Sequence, residues 1–212
     1  MTSMLASVAA GRSVLYWLLA DLFLTCPDQP LVERLSRDLP STADAEHPVM
    51  RELAALREAM PQNEAGITAL AVEYTRLFGA LSRDESPPPP YESLHRNAPD
   101  AVAVGEFYVK AGLVAFDGAA PPDHLGTEFR FLALLCHGES ASWRDGRAKE
   151  ARAALENQHE FLDQHLLTWG PAYLEMVERE ARHPFYRALA GTARRIVRAD
   201  RAVIDDLFTE VG

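Results

Sequence analysis

Apolar residues recur at three- and four-residue intervals along most of the chain, the spacing of one helix face. No stretch alternates apolar and polar positions over the length of a strand, and no internal repeat is visible. The pattern predicts a first helix over about 3–25, with Val14, Leu15, Leu18, Leu19, Leu22 and Phe23 as its inner stripe and Cys26-Pro27 as its stop. A short helix follows over about 31–39, started by Pro30. A breaker-rich loop covers 40–48, and a helix over about 49–60 carries Leu53 and Leu56 inward. The clearest amphipathic segment comes next. Ile67, Leu70, Ala71, Tyr74, Leu77, Phe78 and Leu81 share one face; Glu64, Thr68, Glu73, Thr75 and Arg76 form the polar one.

The span 82–96 reads as a long irregular loop, because four consecutive prolines, Pro87 to Pro90, favour extended backbone and exclude a helix. Pro99-Asp100 opens another helix, with Val104, Phe107, Tyr108, Ala111 and Ala115 inside, and 116–120 breaks it. Pro121-Pro122 then prevents continuation, and Asp123 is the expected N-cap of a helix reaching about Cys136 on Leu125, Phe129, Leu132 and Leu135. A long helix over 142–168 uses Ala151, Leu155, Leu162 and Leu166. Gly170-Pro171 resets the chain, with the proline in a first turn. The last helix starts near His183-Pro184 and uses Phe185, Leu189, Ala193, Ile196, Val197, Ile204 and Leu207. The expected class is all-α, a bundle of roughly nine helices.

At 212 residues, 48% apolar and 25% charged, the chain can bury a core as one large domain or two lobes. A formal charge of −10 disfavours general nucleic-acid binding and suits a basic partner. Cys26 and Cys136 lack the spacing of a metal or redox motif, so two reduced thiols in a reducing compartment are expected. The apolar run 14–24 is interrupted by Asp21 and is too short to span a bilayer. It reads as a buried helix, and the protein as cytoplasmic without membrane insertion.

Few motifs carry chemistry. His124 and Glu128 stand four apart on one helix and could share a metal, but no second histidine matches and HExxH is absent. Phosphate-binding glycine loops and the GxSxG elbow are missing, and neither cysteine has nucleophile flanks. Arg194-Arg195 reads as a solvated helix face. Asp123-His124 reads as a cap followed by an exposed histidine, or as a recognition pair: a carboxylate that can hold a guanidinium through two hydrogen bonds, beside an imidazole. Tyr91, after the proline run, offers a rigid amphipathic surface, and Glu92 a charge.

These residues carry a family resemblance. Pro121-Pro122-Asp123-His124-Leu125 with Glu128 and Phe131-Leu132 resembles the signature of the TorD/DmsD/NarJ family of chaperones for molybdenum-dependent redox enzymes. Glu73-Tyr74-Thr75-Arg76-Leu77-Phe78, then Pro87 to Pro90 with Tyr91-Glu92-Ser93, match upstream. Glu160-Phe161-Leu162, His165-Leu166, Trp169, Pro171-Ala172-Tyr173, Phe185-Tyr186 and Leu189-Ala190 follow in family order. The resemblance implies a cytoplasmic chaperone, not an enzyme, with no cofactor or metal of its own and no nucleic-acid partner. It implies binding of the twin-arginine signal peptide and apo form of a molybdoenzyme during cofactor insertion, before export. The implied groove comprises Leu77, Phe78, Pro90, Tyr91, Glu92, Asp123, His124 and Glu128. Two lobes, 1–116 and 123–212, would be joined by a hinge at 117–122, giving a monomer with a possible lobe-swapped dimer. A nitrate reductase assembly factor of NarJ type is the near alternative. A helical metal-dependent enzyme using His124 and Glu128 is the distant one.

Overall fold

The structure, a computed structural model, describes residues 2–42, 47–79, 86–96, 101–113 and 120–211. Ten α-helices are found among them: α1 (Thr2–Leu24), α2 (Gln29–Asp38), α3 (Pro48–Glu58), α4 (Glu64–Phe78), α5 (Glu92–His95), α6 (Ala101–Lys110), α7 (Leu125–Arg144), α8 (Ala148–Phe161), α9 (Leu167–Glu180) and α10 (Pro184–Val211). A π-helical turn, Leu162–Leu166, joins α8 to α9. Among the described residues the only β feature is an isolated bridge between Tyr91 and His124. The chain is all-α, as the periodicity predicts.

Two compact units are formed, interleaved in sequence. The first takes 1–24, 90–171 and 197–212; the second takes 25–89 and 172–196. The sequence reading expects consecutive lobes divided at 117–122, and 114–119 lie outside the described residues. The interleaving has a physical cause in the first unit. There α1 packs along α7, α8 packs on α7, and one buried ion cluster ties the two chain ends together. The Arg12 guanidinium donates to both oxygens of Asp200 (2.5 and 3.0 Å), to Glu139 (3.1 Å) and to Gln158 Oε1 (2.6 Å). Tyr16 donates to Asp200 (2.8 Å), and Gln158 and Trp143 donate to Glu139 (2.9 and 3.2 Å). Side chains from α1, α7, α8 and α10 thus meet in one place.

This cluster also turns α1 away from its expected face. Arg12, Ser13 and Tyr16 are buried, whereas Val14 is 67% exposed. Hydropathy spacing misses a buried arginine because it scores the residue alone, not with its acids. α1 is long and apolar enough to cross a membrane by length and composition, unlike the shorter run read from the sequence, yet ten of its residues are buried. Near its end the backbone comes close to α7: a Cβ at Gly126 would lie 2.5 Å from the Leu24 side chain. Around this seam Tyr16 and Phe23 meet Phe129, and Phe107, Tyr108, Phe131 and Phe161 form a contiguous aromatic cluster.

In the second unit Asp28 and Asn63 cap α2 and α4 by accepting from the Leu31 and Gly66 amides, 2.9 Å each. Leu70, Leu77 and Phe78 face inward as predicted, but Glu73 is buried with them, contrary to its expected place on the polar face. It accepts from Arg76 (2.7 and 2.8 Å) and from the Arg182 amide (2.5 Å). The Glu73–Arg76 spacing, one turn apart, is the sequence signal for that pairing. Leu81 lies outside the described residues. Arg194 and Arg195 pair with Glu178 and Glu52, so this face of α10 is neutralised locally.

Three further boundaries differ from expectation. α7 runs on to Arg144 rather than ending near Cys136. The predicted 142–168 helix divides into α8 and the π turn, where the Leu167 amide reaches back to the Leu162 carbonyl. Pro171 lies inside α9 rather than at a restart, with the chain already helical from Leu167.

Candidate peptide-recognition site

The site is built in the first unit, where the segment after the proline run meets the start of α7. Proline cannot donate, so Pro90 contributes only its carbonyl, which accepts from the Leu125 amide (2.9 Å). The Glu92 amide donates in turn to the Asp123 carbonyl (2.9 Å). These two bonds clamp Tyr91 against His124, with ring centroids 5.2 Å apart in an edge-on arrangement. From the other side Tyr108 of α6 donates to the Pro122 carbonyl (2.7 Å).

The N-cap of α7 is His124, not Asp123. His124 Nδ1 accepts from the Gly126 amide at 3.0 Å. Asp123 instead accepts from the Ser93 hydroxyl (2.6 Å) and amide (3.3 Å), which fixes the first turn of α5 inside the span read as pure loop. Both residues are buried, so the expectation of an exposed histidine fails as well. The reason is local. Residues 121–124 form a turn in which the His124 amide donates to the Pro121 carbonyl (3.2 Å), the helix starts one residue later than a carboxylate cap would place it, and the imidazole nitrogen does the capping.

Burial lowers the His124 pKa to about 4, against the opposing charge of Asp123. The ring is therefore neutral at pH 7. Between pH 6.5 and about 4 the unfolded chain takes up the proton and the folded one does not, so stability falls with falling pH. The slope from this group is about 1.4 kcal/mol per pH unit. Asparagine caps without titrating. Urea denaturation at pH 7 and pH 4.5 should thus show a smaller acid loss for His124→Asn than for wild type; equal losses would contradict this placement of the ring.

Behind the clamp lie two buried carboxyl groups. Glu92 pairs with His165 Nδ1 (3.1 and 3.2 Å to its two oxygens) and with Arg96, which also donates to the Gln164 carbonyl (2.7 Å). Burial would raise the Glu92 pKa, but the His165 and Arg96 contacts outweigh it and hold the carboxylate below its usual range. Glu128 faces Glu92 and the Trp169 indole; burial, then the Glu92 charge, push its pKa well above the carboxylate range. Neither Glu128 oxygen makes a well-formed hydrogen bond. Two carboxyls this close cannot both ionise, and the one without a cation stays protonated. His165 sits in the π turn, the kind of helix irregularity that often aims a functional side chain.

The structure gathers Pro90, Tyr91, Glu92, Asp123, His124 and Glu128 in the first unit. Leu77 and Phe78 belong to the second, buried, with Phe78 edge-on to Tyr74 and Tyr186 (5.2 and 5.7 Å). Of the first group Tyr91 alone is not fully buried. Among the described residues no group of three or more His, Cys, Asp or Glu side chains is arranged to hold a metal. The nearest candidate pair is occupied otherwise: His124 Nδ1 caps α7 and Glu128 is protonated.

Sequence reasoning missed Arg96 and Ser93, and it missed the surface beside the clamp. There α6 and Pro122 form a shallow apolar groove of about 580 Å³ lined by Ala101, Val102, Gly105, Glu106, Val109 and Pro122. Val102 and Val109 are 60% and 62% exposed. They stand seven apart, two turns on one face, and the signal was available in the spacing. The inward stripe of Val104, Phe107 and Tyr108 is the stronger pattern in α6 and masks it.

Comparison with known proteins gives the family. Residues 43–175 match the nitrate reductase delta subunit family. The chain is 30% identical to the chaperone protein TorD of Vibrio cholerae over 94% of each chain. It is 31% identical to the chaperone protein YcdY of Escherichia coli over 65% of this chain and 66% of that one. The selenate reductase assembly chaperone protein of Thauera selenatis is 38% identical over 43% and 45% of the respective chains. This chain belongs to the nitrate reductase delta subunit family, which includes TorD, and its named relatives are chaperones and assembly chaperones rather than catalysts.

Proposed function

We propose that this chaperone binds the twin-arginine signal peptide of an apo molybdenum-dependent redox enzyme in the cytoplasm, and holds the precursor until its cofactor is loaded. One observation carries the reading. An exposed apolar groove on α6 adjoins Pro122, directly before the buried Asp123-His124 clamp. A signal peptide offers an apolar stretch of helical length behind its arginines. Val102, Val109 and Pro122 supply a complementary apolar strip, and Glu106 puts a carboxylate in its wall. Apolar contact gives affinity, and charge gives orientation and rate. The net charge of −10 favours the approach of a basic segment.

In this reading Asp123 and His124 act through shape. They fix the groove's end by holding Ser93, Tyr91 and the α7 terminus, and Tyr91 is the member that reaches solvent. The client belongs to the redox enzymes that the relatives' names describe, reductases of selenate, chlorate or kindred substrates. A monomer is the working form, with lobe exchange as a minor route to a dimer.

Isothermal titration of a client's leader peptide tests the proposal. Saturable one-to-one binding is expected for the leader, and none for a peptide of equal length from the mature N-terminus. Equal heats from both would overturn it.

A further inference from the structure

The Arg96 guanidinium is held in the manner of a ligand. It lies at the end of a four-residue helix, its side chain 31% exposed, and pairs with a Glu92 carboxylate that is wholly buried. It also donates to the Gln164 carbonyl in the π turn. It lines an open pocket of about 700 Å³ together with Phe107, Lys110, Glu160, Asp163 and His165. Lys110 at this pocket is committed to Glu160 (2.9 and 3.1 Å) and to the face of Phe107, while His165 Nδ1 shares the Glu92 carboxylate (3.1 and 3.2 Å). Behind Glu92, Glu128 is fully buried with neither oxygen in a well-formed hydrogen bond.

We infer that the buried Glu92 carboxylate and the Gln164 carbonyl form a guanidinium-binding site, and that Arg96 fills it as an internal stand-in which an arginine of the partner peptide displaces. For its natural ligand the inference rests on the signal-peptide reading above. Two features fit a guanidinium better than an ammonium. Glu92 presents a carboxylate, and the Gln164 carbonyl offers a second acceptor to one side. A planar fork can satisfy several acceptors at once, whereas a lysine is a point charge. Displacement is feasible because Arg96 reaches its partners from a short, partly exposed helix and can turn back to solvent.

The test removes the stand-in. Arg96→Ala opens the site with a buried carboxylate waiting. Free guanidinium at about 20 mM should raise the melting temperature of this variant by a few degrees, well beyond equal concentrations of methylammonium or sodium. Wild type should show no such difference. A twin-arginine leader should bind Arg96→Ala about five- to tenfold more tightly than wild type, because it no longer competes with an internal group. Arg96→Lys, which keeps the charge and the fold without the fork, should gain about two- to threefold. Equal response to guanidinium and methylammonium in Arg96→Ala overturns the site; if that variant does not fold, equal leader affinity for Arg96→Lys and wild type does so. Should the leader bind neither wild type nor variant while guanidinium still stabilises Arg96→Ala, the pocket stands and the signal-peptide reading falls.

Discussion

Arg12→Ala is expected to destabilise the protein by about 3–5 kcal/mol, the usual cost of removing one partner from a buried ion cluster. The guanidinium is 7% exposed and joins Asp200, Glu139 and Gln158 across four helices of the first unit. Its removal leaves the Asp200 charge without a cation, with only Tyr16 donating to it. The Glu139 carboxyl, already pushed up by burial against the pull of Arg12, would rise further and protonate. Urea denaturation measures the loss. A compensated variant, Arg12→Met with Asp200→Asn and Glu139→Gln, should recover at least half of it, since hydrogen-bonded neutral groups are tolerated where a lone charge is not. A loss below about 1 kcal/mol for Arg12→Ala would mean that the cluster does not join the chain ends energetically.

The second large effect concerns binding. Val102→Ser with Val109→Ser should weaken leader binding about thirtyfold or more, because two valines buried by a peptide contribute roughly 2–4 kcal/mol. Both side chains are largely exposed in the free protein, so folding should be nearly unaffected. Serine and valine have similar helix propensities. The loss should depend little on salt, in contrast to the charged contribution, which is screened as ionic strength rises. Affinity within threefold of wild type would remove the α6 groove from the site.

Much of the fold was legible in the sequence, for identifiable reasons. Pro30 and Pro184 stand in the first turns of α2 and α10 as their chemistry predicts, and Leu70, Leu77 and Phe78 turn inward at helical spacing. The family was legible in the ordered motifs around Tyr91-Glu92-Ser93 and Asp123-His124. What escaped was buried charge. Arg12, Glu73, Glu92 and Glu128 are polar letters in a linear pattern, and only their partners explain their burial. Glu92 and Arg96, four apart, carried a visible hint; Arg12 and Asp200 are 188 positions apart and carried none beyond Arg12 being the lone charge in the run 1–20. The cap at His124 shifted by one residue for a similar reason, since Asp123 had a distant partner in Ser93. Interleaving of the two units follows from that same long-range pairing and is invisible to any division by local composition.

The most direct test of the account is calorimetry with three synthetic leaders of one client: native, twin-lysine, and a version whose apolar stretch is replaced by serine and glycine. Saturable binding of the native leader is predicted. Lysine should cost roughly tenfold, the scale of a guanidinium–carboxylate contact, and loss of the apolar stretch should abolish measurable binding. Native and apolar-deleted leaders that bind alike, or a native leader that does not bind to the folded protein at all, would contradict the claim that this chaperone recognises its client through the signal peptide.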